Sequence, residues 1–139
     1  MATINQNGSG INIVGTPYDD NIYSTSNSNR GNFIDGLAGN DLISSNGKTT
    51  VIHGRKGKDT IYTCSNADGG KVYGDEDNDF ITNNGPNSLV DGGKHDDNII
   101  NYGAGSKMYG SDDNDNIVIT VPTQKFMAAT IILRTMPQM

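Results

Sequence analysis

One eight-residue pattern recurs six times along this chain and leaves few folds open to it. The segments are GTPYDDNI (15–22), GLAGNDLI (36–43), GRKGKDTI (54–61), GDEDNDFI (74–81), GGKHDDNI (92–99) and GSDDNDNI (110–117). All six satisfy G-x-x-x-x-D-x-I, so eighteen specified positions are filled eighteen times. Two residues before each Gly stands an aliphatic residue or Met: Ile13, Ile34, Ile52, Val72, Val90 and Met108. Every repeat thus carries one apolar anchor on each side of an acidic turn. Successive Gly are 21, 18, 20, 18 and 18 residues apart. The unit is 18 residues, and the additions of three and two fall within YSTSNSNRGNF and YTCSNADGGKV. Both stretches have the Ser, Asn and Gly content of loops that tolerate insertion.

A unit of this length has room for two short strands and two turns. DNIYS, DTIYT, DFITN and NIVIT have the β-branched and aromatic content of strands. Neither strand of a unit is long enough to bury a face alone. Stacked coils bury both anchors between two sheets, so each repeat needs its neighbours. No 3.6-residue helical period runs through 11–119. Composition agrees: the chain is 33% apolar with 18 Gly, and Asn is as frequent as Gly. That excludes a deep core and leaves disorder, a repeat fold, or a fold completed by a cation.

The motif also resembles a known one. GLAGNDLI and GRKGKDTI look like the G-G-x-G-x-D-x-U-x nonapeptide of the RTX (hemolysin-type) calcium-binding β-roll family. The likeness covers roughly 13–119 and departs in two ways. Every second nonapeptide (SSNGKTTV, NNGPNSLV, NYGAGSKM) lacks the acid, so the family's reading carries over to one side of the roll. The fourth turn position is Gly only at Gly39 and Gly57, and is Tyr18, Asp77, His95 and Asp113 elsewhere. Asp and His visit positive φ more readily than most residues, and Tyr18 fits worst. The resemblance implies an all-β, right-handed parallel β-roll (a β-solenoid) of about six 18–21-residue coils. We expect a lead-in or cap over 1–10, the roll over 11–119, and a cap or tail over 120–139. In that last segment the apolar run Phe126–Leu133 would cover an open end.

In such a roll Asp20, Asp41, Asp59, Asp79, Asp97 and Asp115 form a column of carboxylates one strand spacing apart. At that spacing neighbours repel by about 3.5 kcal/mol at an effective dielectric of about 20. A marginally stable domain cannot absorb five such gaps. A divalent cation in each gap would turn repulsion into attraction. Carboxylates and turn carbonyls suit Ca2+, which takes many oxygen ligands flexibly, better than Mg2+, which demands an octahedron. Zinc prefers Cys and His, and Cys64, His53 and His95 occupy unrelated repeat positions. An EF-hand is excluded, because Phe80 stands where its loop needs Gly and Pro86 where it needs Glu. The resemblance implies that each ion takes an Asp from two adjacent coils plus backbone carbonyls. The carbonyls would come from Gly36, Gly39, Gly54, Gly57, Gly74, Asp77, Gly92, His95, Gly110 and Asp113, with at most about five ions. Turns are expected to differ. HGRKGKD, with Arg55, Lys56 and Lys58 around Asp59, should bind weakest, and YGDEDND and YGSDDND tightest.

The expected function is a non-catalytic calcium-binding module that orders on binding the ion, as part of a secreted protein exported through a type I channel. The N-terminal MATINQNGSG has no basic or apolar region of a Sec signal, and no run of 18 apolar residues would span a membrane. A net charge of −6 disfavours nucleic acid. Cys64 stands alone, so there is no disulfide framework, and no nucleophile–base pair is visible. One alternative is a calcium-dependent polysaccharide-binding or adhesion module using Tyr73, Tyr109, Lys71, Lys94 and Lys107. A third, ice binding, needs a regular turn surface, whereas the second turn position runs Thr16, Leu37, Arg55, Asp75, Gly93, Ser111.

Overall fold

The computed structural model describes residues 1–27, 29–122 and 128–134. Fourteen strands wind into two sheets with no helix among these residues. The odd strands are β1 (Thr3–Gln6), β3 (Asn21–Ser24), β5 (Leu42–Ser45), β7 (Thr60–Thr63), β9 (Phe80–Asn83), β11 (Asn98–Asn101) and β13 (Asn116–Pro122). They stack in sequence order as one parallel sheet, which β14 (Ala128–Arg134) extends antiparallel to β13. The even strands β2 (Asn12–Val14), β4 (Phe33–Asp35), β6 (Val51–Lys56), β8 (Lys71–Glu76), β10 (Leu89–Gly93) and β12 (Lys107–Ser111) form the second parallel sheet. The expected parallel β-solenoid of about six coils is the fold.

Register follows the repeat. Ile22 pairs with Ile43, Ile43 with Ile61, Ile61 with Ile81, Ile81 with Ile99, and Ile99 with Ile117. Across the coil, Ile13, Ile34, Ile52, Val72 and Val90 form the facing column, with Met108 packed against its end. Both columns are closed to solvent and together are the core. A one-residue slip would turn a whole column outward, so the anchors hold the register. Fully burying each contributes roughly 1.5–3 kcal/mol before entropy is counted.

The non-acidic loops at 46–50, 84–88 and 102–106 have five residues, and those at 25–32 and 64–70 have three and two more. The additions lie where the Gly spacing puts them. Residues 1–10, read as a lead-in, supply β1, whose Ile4 pairs with Ile22, so the sheet begins one rung before the first motif. Within 120–139, β14 covers the last odd strand. Phe126 lies outside the described residues.

Candidate metal centre

Each motif Asp stands one residue before an odd strand, so the register that aligns the Ile column also aligns the acids. All six are 1–3% exposed. The carbonyls of the first five enter the ladder. Leu42 N–H donates to the Asp20 carbonyl at 2.8 Å, and Thr60, Phe80, Asn98 and Asn116 do the same to the preceding Asp. The N–H groups of those five donate instead to a side chain. Asp20 N–H reaches Asp41 Oδ1, Asp41 reaches Asp59, Asp59 reaches Asp79, and Asp79 reaches Asp97, all at 2.8 Å. Asp97 N–H reaches Asp115 Oδ1 at 2.9 Å, and Ala2 N–H begins the series on Asp20 Oδ1 at 2.7 Å. One oxygen of each carboxylate is thus bound to the preceding coil.

The other oxygen explains the invariant Gly. A Cβ on Gly36 would lie 2.5 Å from Asp41 Oδ2 and 2.6 Å from the Gly54 carbonyl oxygen. On Gly54 it would strike Asp59 Oδ2 and lie 2.8 Å from the Gly74 carbonyl oxygen; on Gly74 it would strike Asp79 Oδ2 and the Gly92 carbonyl oxygen. On Gly92 and Gly110 it would strike Asp97 and Asp115 Oδ2. The motif therefore spaces Gly and Asp five apart because the carboxylate folds back over its own Gly. Asp41, Asp59, Asp79 and Asp97 Oδ2 are buried and have no hydrogen-bond partner. At Gly15, Gly36, Gly54 and Gly74 a carbonyl oxygen of the next coil also crowds the place a Cβ would take, so acceptors approach the column from both coils. Leaving a buried charged acceptor unsatisfied is costly. A proton or a cation on Oδ2 resolves it.

Burial is the main reason these groups resist ionisation. It raises Asp41 to about 6, Asp59 to about 7, Asp79 to about 8 and Asp97 to about 7, with neighbouring acids adding to the rise and the backbone N–H bonds opposing it. Asp20 goes the other way. Burial pushes it up, but hydrogen bonds from Ala2 N–H, Thr16 N–H and the Thr16 hydroxyl outweigh that and hold it below the ordinary range.

The five later turns share one backbone shape. Their second residues, Leu37, Arg55, Asp75, Gly93 and Ser111, have φ between 76° and 112°. Their fourth residues, Gly39, Gly57, Asp77, His95 and Asp113, have φ between 71° and 116°. Asp, Asn and His tolerate this region, which is why the fourth position is free of Gly in three coils. These fourth residues form an outer rim: Gly57 N–H donates to Asp77 Oδ2 at 3.1 Å, and Asp77 N–H to His95 Nδ1 at 3.2 Å. In the first turn neither Thr16 nor Tyr18 has positive φ.

The opposite side of the roll is built from neutral groups. Ser24, Ser45, Thr63, Asn83 and Asn101, two residues after the first five motif Ile, are buried. Thr63 Oγ1 donates to Asn83 Oδ1 at 2.6 Å, Asn83 Nδ2 to Asn101 Oδ1 at 2.7 Å, and Asn101 Nδ2 to the Gly103 carbonyl at 3.0 Å. Amides supply donor and acceptor together, so this ladder satisfies itself. Sequence reasoning missed it, although small polar residues at Ile plus two were its signal.

Outside the second sheet, Arg55 forks Asp35 with bonds of 3.0 and 2.9 Å, Lys56 Nζ lies 4.0 Å from Glu76, and His53 Nδ1 lies 2.8 Å from Asp75. His53 stacks on Tyr73 at 4.7 Å. Arg55 is thus turned away from Asp59. Leu89 separates Lys71 from Lys107, and Asp91 separates Tyr73 from Tyr109, so these Tyr and Lys form no continuous row. Among the described residues no three His, Cys, Asp or Glu side chains stand together to hold a metal. The column offers paired carboxylates and backbone carbonyls instead. Comparison with protein-family models, curated proteins and solved structures found no match for this chain.

Proposed function

We propose that this chain is a non-catalytic calcium-binding module, akin to the RTX β-roll, whose acidic turns order around Ca2+. One observation carries the reading: four buried Oδ2 atoms without a hydrogen-bond partner recur at equal register down one side of the roll. The convergence of Gly54, Gly74 and Gly92 carbonyl oxygens on that column supports an oxygen-only ligand set. Calcium, when bound, supplies positive charge between carboxylates that otherwise repel. Asp41, Asp59, Asp79, Asp97 and Asp115 would hold it, with those three carbonyls. The neutral Ser/Thr/Asn ladder opposite needs no ion, which supports binding on one side only.

The chain's own residues set the response. The Asp N–H to Oδ1 bonds fix one carboxylate oxygen and leave the second on the column axis. The Gly at each turn keeps that oxygen's place clear. An extracellular role fits this chemistry, because millimolar calcium outside cells fills weak sites that the cytosol leaves unfilled. The test is far-UV circular dichroism through a calcium titration at pH 7.5, with magnesium as control. The β signal should rise cooperatively with calcium and stay low with magnesium. An equal β signal in excess chelator would refute the reading.

A further inference from the structure

We propose that the first turn is closed to calcium because Thr16 supplies the donors that a cation replaces elsewhere. The module then binds four ions, in the gaps from Gly36 to Gly110. This rests on the calcium reading and deepens it.

The cause lies in three residues of GTPYDD. Proline disfavours helical and left-handed backbone in the residue before it, so Pro17 keeps Thr16 extended. At this position the other five turns have positive φ, and Thr16 does not. Held this way, Thr16 N–H donates to Asp20 Oδ2 at 2.5 Å. The Thr16 hydroxyl donates to Asp20 Oδ1 at 3.0 Å and accepts from Tyr18 N–H at 3.3 Å. Ala2 N–H completes the set on Oδ1. Asp20 is as buried as its five equivalents, yet both its oxygens have donors. In the next four coils the same Oδ2 has none. Fixed N–H and O–H dipoles thus occupy both oxygens of the first carboxylate at the N-terminal end of the column. A cation entering there would have to displace them.

Native mass spectrometry in calcium, with ions counted per chain, tests this. Wild type should hold four. Five would overturn the inference and leave the calcium reading intact; none would overturn both. Rebuilding the first turn with Gly at both positive-φ positions, by Thr16→Gly, Pro17→Ala and Tyr18→Gly, should add one ion, and an unchanged count in a folded variant would overturn the proposal. If that variant does not fold, Asp20→Asn serves: a turn that holds no ion loses none when its carboxylate becomes an amide, so the count should stay at four, and a fall to three would overturn the proposal.

Discussion

Replacing Asp79 with Asn should change stability in opposite directions with and without calcium. Asn keeps the shape and an Oδ1 that accepts the Asp59 N–H. It puts a donor where Oδ2 faced the Gly92 carbonyl oxygen, so the unpaired acceptor becomes a hydrogen bond. It also removes the ionisation problem. Burial raises Asp79 from 3.8 to about 8. At pH 7 the unfolded chain ionises this group and the metal-free roll does not. The interval from 3.8 to 7 is about three pH units, or about 4 kcal/mol at about 1.4 kcal/mol per unit. Asp59 and Asp97 titrate with it, so the column behaves as one unit. The sign is that of a raised carboxyl: its stability is complete below the unfolded value near 3.8 and is lost progressively as pH rises from there to about 8. In chelator, wild type should lose β signal over that interval. Asp79→Asn should keep it to higher pH, with several kcal/mol more stability at pH 7 and no advantage near pH 3.5. In calcium at pH 7.5 the variant lacks one charge of the ligand set and should need more calcium, at least tenfold. Circular dichroism from pH 3.5 to 9, in chelator and in calcium, reads both. A variant less stable than wild type in chelator at pH 7 would refute the reasoning.

Three further outcomes follow from the same contacts. Gly74→Ala drives a Cβ into Asp79 Oδ2 and the Gly92 carbonyl and should cost more than 3 kcal/mol, abolishing the calcium-induced circular dichroism signal; Gly69→Ala meets only a methyl at 3.6 Å and should cost about 1 kcal/mol, from its positive φ. Asn83→Ala breaks the neutral ladder at four bonds and should cost about 2–4 kcal/mol in urea melts in saturating calcium, with the ion count unchanged. Arg55→Ala should cost no more than about 1 kcal/mol in the same melts, because its partly exposed fork to Asp35 is a surface pair facing away from the column.

The repeat alone was enough to define the coil, its register and its acidic column. A pattern with Gly, Asp and Ile at constant offsets can satisfy its backbone only by stacking on itself. The lengths of the two insertions were equally legible, since they are departures from an 18-residue period. Three things required the tertiary structure. Sequence places the acids in a column, but only the folded coil turns them inward, where burial raises the pKa of Asp41, Asp59, Asp79 and Asp97 and each Oδ1 is bound to the preceding coil. Sequence sets Arg55 beside Asp59, but only the outward face supplies Asp35, which takes the guanidinium away. Sequence makes the first turn look like a poor copy of the others, but the stacked coils show its Asp20 already supplied with donors. The physical reason is common to all three. Periodicity determines which residues share a height on the stack, while the direction and partners of a side chain depend on the folded turn and on neighbours eighteen or more residues away, as Thr16 and Ala2 do together at Asp20.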